Sequence, residues 1–113
     1  MKKIETNSKN LLSDIGVFYD YKIHHFITVN GVDLGDKMEI QYLFTRYDSK
    51  EEVICYFLNM DYDEQIPSIV SIIPPAYMGE GEVVDMFGIK IQNISKGLLL
   101  EDDSQQAPLR KNL

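Results

Sequence analysis

Cysteine is almost missing from this sequence: Cys55 is the only one in 113 residues. A lone cysteine rules out an internal disulfide and any cluster ligated by several cysteines of this chain. Positive charge is also scarce, with 11 Lys and Arg against 18 Asp and Glu and a formal net charge of −7. That balance argues against nucleic acid, whose phosphates are held mainly by Lys and Arg, and disfavours an anionic membrane surface as a direct partner. No uninterrupted apolar run of about 18 residues occurs, so no segment is expected to span a bilayer. Met1-Lys2-Lys3-Ile4-Glu5-Thr6 is followed by polar residues rather than the apolar stretch of a secretory signal. The expected compartment is the cytoplasm. Hydrophobic residues make up 44% and charged residues 26%, ordinary for a globular domain with a single core.

Taken in order, residues 1–10 are polar and expected to fray until Ile4 or Leu11 finds the core. Ile4, Leu11, Leu12, Ile15 and Phe18 fit a short amphipathic helix ending near Gly16. From Tyr21 the period becomes two. Ile23, His25, Ile27 and Val29 alternate with Lys22, His24, Phe26 and Thr28, which reads as a strand. Asn30-Gly31 begins a turn that Gly35-Asp36 extends. Met38, Ile40, Tyr42 and Phe44 then face one way, with Glu39, Gln41 and Thr45 facing the other. Asp48-Ser49-Lys50-Glu51 is the next turn. The following strand is apolar on both faces (Val53, Cys55 and Phe57 against Ile54, Tyr56 and Leu58), so it belongs at the centre of a sheet or has both faces covered. Asp61-Tyr62-Asp63-Glu64 is a solvated acidic loop. Residues 68–73 suit a helix capped by Ser68 or a strand equally well. Ile89 and Ile91 suggest a late strand, and Leu98-Leu99-Leu100 a further apolar segment. The expected fold is α+β and two-layered, with helices on one face of a mixed, largely antiparallel sheet. One domain covers residues 1–104, and residues 105–113 form an extended tail.

Three of the four prolines and three of the seven glycines fall in residues 66–89. Pro74-Pro75 breaks the preceding element and Pro75 suits a helix start. Ala76, Val83 and Phe87 recur at helical spacing, and Gly88 sits where the helix would be capped. Glu80 shares their face, while Glu82 and Asp85 occupy a neighbouring one.

Glu80-Gly81-Glu82-Val83-Val84-Asp85-Met86-Phe87-Gly88-Ile89 resembles the signature of the 30 kDa subunit family of respiratory complex I, which runs Glu-Arg-Glu, two residues, Asp, one residue, then Phe-Gly-Ile. Pro74-Pro75-Ala76 before it and Pro108-Leu109-Arg110-Lys111 after it match the family order. Gly81 replaces the family's arginine, and the segment after the signature is shortened to Asn93-Ile94-Ser95-Lys96-Gly97. The short form is more similar to the small homologous subunits of membrane-bound energy-converting [NiFe] hydrogenases. The resemblance favours helix for residues 68–73. It implies a non-redox structural subunit, peripheral on the cytoplasmic side, that docks on the large subunit of the complex and its iron–sulfur neighbour. It places no cofactor in this chain; iron–sulfur clusters and a [NiFe] site or quinone are expected in partners. The implied interface residues are Glu80, Glu82, Asp85 and Phe87, with the tail residues Leu109, Arg110 and Lys111 wrapping the partner.

Other candidates have blander readings. His24 and His25 point to opposite faces of a strand and cannot share an ion without a bulge. Cys55 lies mid-strand and reads as inert core. Gly79, Gly81 and Gly88 lack dinucleotide-fingerprint spacing, and there is no phosphate loop. A solvated acidic face suits Glu82 and Asp85. Glu80, set among apolar residues, needs a basic partner inside the fold or on another protein. No catalytic or metal residue is assigned. Alternatives to the docked subunit are a free-standing binding or regulatory module, or an enzyme using Glu80 and Asp85.

Overall fold

The computed structural model describes residues 1–94. Its elements are β1 (Lys2–Glu5), α1 (Leu11–Phe18), β2 (His24–Asp33), β3 (Met38–Arg46), β4 (Ser49–Met60), β5 (Gln65–Ile66), α2 (Ala76–Phe87) and β6 (Lys90–Ile91). Four strands form a sheet in the order β1-β4-β3-β2. β4 lies parallel to β1 and antiparallel to β3, which is antiparallel to β2. The fold is therefore α+β with a mixed, mostly antiparallel sheet. β5 and β6 make a separate two-stranded parallel pair.

β4 is apolar on both faces because it is a central strand, with Leu58 and Cys55 on opposite sides and both fully buried. On β3 the strict alternation places Met38, Ile40, Tyr42 and Phe44 at 0% exposure, beneath both helices. Phe18 of α1 stacks on His24 with ring centroids 4.2 Å apart and meets Phe44 edge-on at 5.1 Å. The amino terminus does not fray: Lys2 to Glu5 pair with Ile54 to Phe57, and Thr6 N–H continues onto the Phe57 carbonyl at 2.8 Å. α1 runs past Gly16 to Phe18 and leaves Leu12 39% exposed.

β2 departs most from the expected pattern. Phe26 pairs with Phe44, yet Thr28 pairs with the adjacent residue Leu43, so Ile27 is an extra, bulged residue. One inserted residue reverses the facing of every side chain after it. His24 is buried before the bulge and Val29 after it, while Ile27 is 43% exposed. Asn30-Gly31 lies inside the strand; the turn comes later, where Leu34 N–H donates to the Lys37 carbonyl at 2.9 Å and Gly35 takes φ +97°. Gly31 has another purpose, because a Cβ there would sit 2.8 Å from the Phe87 ring. A strand glycine marks close approach, here by an aromatic ring.

Residues 69–73 form neither helix nor strand. A single turn, with Ile72 and Ile73 N–H both on the Ile69 carbonyl, buries Ile69 and Ile73. Pro74-Pro75 then permits no continuation. The Leu98-Leu99-Leu100 segment, the boundary at residue 104 and the tail lie outside the described residues.

Candidate functional site

Helix α2 begins directly after Pro75 and ends at Gly88, whose φ of +70° is the left-handed cap and whose N–H returns to the Val84 carbonyl at 2.9 Å. A helix lying on a flat sheet buries one stripe. This one is covered from two sides, by β2 beneath and by the 65–73 segment with β6 alongside. Ala76, Glu80, Gly81, Val83, Val84, Asp85 and Phe87 are all buried. Gly79 permits the lower contact, since a Cβ there would stand 3.0 Å from the Val29 backbone nitrogen.

Glu80 is wholly buried, and its partners are neutral. Ser68 Oγ donates to Oε1 at 2.6 Å and Ile69 N–H donates to Oε2 at 2.8 Å. Val70 N–H in turn donates to Ser68 Oγ at 3.1 Å. The carboxylate thus pins the 65–73 segment to α2 by satisfying its backbone, as an internal latch. Burial pushes the Glu80 carboxyl above its ordinary range, and the two hydrogen bonds pull against that shift. The expectation of a basic partner is corrected here: a hydroxyl and a main-chain amide supply the donors, which suffice for a buried acid. Beside it the buried Tyr42 hydroxyl has no hydrogen-bond partner among the described residues. Burial and the nearby Glu80 charge both raise its pKa.

Asp85, read from sequence as part of a solvated face, is only 3% exposed. Helical spacing alone does not reveal that burial. Phe87 is 8% exposed, with its ring over Gly31. Of the four signature residues expected at an interface, only Glu82 presents its side chain to solvent. Leu109, Arg110 and Lys111 lie outside the described residues. Helix and fold hold the four signature positions together, but three of them face inward.

His24 and His25 part as strand neighbours should. His24 Nδ1 accepts the Asp20 N–H at 3.1 Å in the core, while exposed His25 lies 6.0 Å from the Tyr47 ring. Burial pushes the His24 pKa down, Arg46 adds to that, and Asp20 opposes it. Cys55 is buried, and burial raises its thiol pKa. Among the described residues, no three of His, Cys, Asp and Glu gather as a metal site, and no helix is long and apolar enough to cross a membrane.

Sequence reasoning missed three features. A buried Asp33 accepts from Gly35 N–H at 2.9 Å and from the Tyr62 hydroxyl, so Tyr62 anchors the solvated acidic loop. Ser68, a helix-cap candidate in the sequence, instead donates to Glu80. The third is the sheet's second face, which carries no helix among the described residues. On it Lys3 pairs with Glu39 at 3.1 Å, Gln41 Nε2 donates to Glu39 at 2.6 Å, and Asn30 Nδ2 donates to Gln41 at 3.2 Å. Leu43, Val53 and Phe57 are half-buried on the same face. At its corner Ile27, Tyr47 and His25 surround a hollow of about 380 Å³ completed by Thr45 and Lys50. Apolar residues on both sides of β4 were the available signal.

The architecture is shared. A chain in the structure of the membrane-bound sulfane sulfur reductase, an archaeal respiratory membrane complex, superposes with a TM-score of 0.76 over 96% of this chain and 68% of that one, at 14% identity. At that identity the likeness is one of fold. The sequence itself matches "Respiratory-chain NADH dehydrogenase, 30 Kd subunit" over residues 4–113, nearly its full length. The chain belongs to the family of the 30 kDa subunit of respiratory-chain NADH dehydrogenase.

Proposed function

We propose that this chain is a non-redox structural subunit of the peripheral arm of a membrane-associated complex, of NADH dehydrogenase-like or energy-converting [NiFe] hydrogenase type, and that it docks on the large subunit. The observation that carries this reading is a sheet with one face packed under two helices and the other left half-apolar, in a chain of a family of respiratory subunits. Antiparallel sheets do face water on one side, but then alternate apolar with polar. Leu43, Val53 and Phe57 break that rule here and suit a surface that another protein covers.

In this reading Glu80, Asp85 and Phe87 act from inside by fixing α2, whereas Glu82 and the tail residues Leu109, Arg110 and Lys111 make contacts. Clusters and the [NiFe] or quinone site belong to the large subunit and its iron–sulfur neighbour. A single buried cysteine with a raised pKa is a poor thiolate ligand, in keeping with that division. The complex would hold the chain on the cytoplasmic side of the membrane.

One observation favours the free-standing module instead: the buried Glu80 of α2 is satisfied from within the chain. Affinity purification of the tagged chain from native membranes separates the two. The expected result is stoichiometric recovery of a large subunit and an iron–sulfur subunit, reduced by Glu82→Lys and by Arg110→Glu. A monomer that recruits nothing, or unchanged recovery in both variants, contradicts the docking reading.

A further inference from the structure

We infer that the corner of the sheet's second face, which carries no helix among the described residues, around Ile27, Tyr47 and Lys50 is the seat for a partner segment carrying a carboxylate among apolar side chains. The inference rests on the docked-subunit reading above and names the surface and the chemistry of its occupant.

Isolated exposed apolar residues need no explanation. Here they cluster: Ile23 is 39% exposed, Ile27 43% and Tyr47 51%, and the last two line one hollow with His25, Thr45 and Lys50. The bulge creates this arrangement. Ile27 has no partner in the β2–β3 register, so it contributes nothing to the ladder and is turned outward with an isoleucine side chain. A bulge that re-aims one side chain is a recurrent device at sites of interaction. The Tyr47 N–H on the Ile23 carbonyl at 3.0 Å holds the β3–β4 turn against the start of β2, so the corner is preformed.

Charge chooses the occupant. The whole chain carries −7, yet among the described residues the hollow's lining contains Lys50 and His25 and no acid. Arg46 is already matched, with Nε and Nη2 on the two Asp48 oxygens at 3.0 and 3.2 Å. Lys50 makes no ion pair among the described residues. An aliphatic and an aromatic wall beside an uncommitted ammonium group fit an apolar side chain next to an Asp or Glu. Anionic lipid offers similar chemistry, but the net charge repels such a surface, so a protein segment is favoured.

The test replaces Tyr47 with photo-reactive benzoyl-phenylalanine in the tagged full-length chain, irradiates native membranes, and maps the cross-linked peptide by mass spectrometry. The expected product joins position 47 to a segment of another subunit with Asp or Glu within a few residues. Lys50→Glu should lower its yield several-fold, and a compensating Lys at the mapped acid should restore it. A complex that forms while position 47 labels lipid, a second copy, this chain's own residues or nothing overturns this inference and leaves the docked-subunit reading standing. Failure to recover any complex overturns both. Circular dichroism of Lys50→Glu checks that the exposed turn tolerates the change.

Discussion

The two faces of the four-stranded sheet were built by different rules. The covered face excludes water with Met38, Ile40, Tyr42 and Phe44, receives Phe87 over Gly31, and is closed by Glu80 holding Ser68 and Ile69. The other is a lattice of modest polar contacts, Lys3 to Glu39 to Gln41 to Asn30, beside half-buried Leu43 and Phe57. The family signature, which reads from sequence like a docking surface, lies almost wholly on the covered side. Strong sequence motifs can therefore mark what a fold needs in order to exist, while the surface available to a partner is written in weaker patterns.

Substitutions can break this contrast, and the largest effect is expected at Phe87. Phe87→Ala removes a buried ring and should cost about 3–5 kcal/mol in urea unfolding of the isolated chain, whereas Phe57→Ala on the open face should cost less than half as much. Glycines give the next test. Gly79→Ala forces a Cβ to within 3.0 Å of the Val29 backbone nitrogen, which cannot step aside, so a loss of about 1–3 kcal/mol is expected. Gly16→Ala would meet, among the described residues, only Ile72 Cδ1 at 3.8 Å and should raise stability by about 0.5–1 kcal/mol through helix propensity. Thermal melts of the two variants should move in opposite directions.

The latch sharpens the comparison through pH. In the unfolded chain Glu80 titrates near 4.5, and in the fold its pKa is raised. Between those values the folded state keeps a proton that the unfolded state has lost, so this group's contribution declines as pH rises through the folded pKa. His24 works the other way. Its folded pKa is below 6.5, so its contribution is present above that pH and is lost as pH falls through the folded value. Glu80→Gln should remove the acid-side rise from a stability-versus-pH curve and leave the His24 slope in place. The smallest effect belongs to the open face. Lys3→Ala breaks a pair with 43% and 13% side-chain exposure and should shift stability by about 0.2–1 kcal/mol, less in high salt.

Much of this was legible beforehand because local chemistry decided it. The alternation of β3, the central placement of β4, the start of α2 at Pro75 and its stop at Gly88 each follow from residues adjacent in sequence. What escaped was decided across the fold. Asn30-Gly31 has turn chemistry, but a ring from α2, more than fifty positions away, needs the space above Gly31. The bulge at Ile27 leaves no composition signal, and it inverts the facing of Val29. Asp85 is buried although its place in the helical pattern reads as a solvated face, and helical periodicity carries no information about what else in the fold covers a helix. For Glu80 the burial was foreseeable from its apolar face, but the donor was not.

The most direct measurement is carboxylate footprinting of the isolated chain, using a carbodiimide with glycine ethyl ester and peptide mass spectrometry. With Glu80 and Asp85 inside the fold and Glu82 outside it, Glu82 should be modified quickly, while the other two should stay protected until urea unfolds the chain. Labelling of Glu80 in the folded protein as fast as Glu82 would contradict the internal latch and return the acidic helix to the surface.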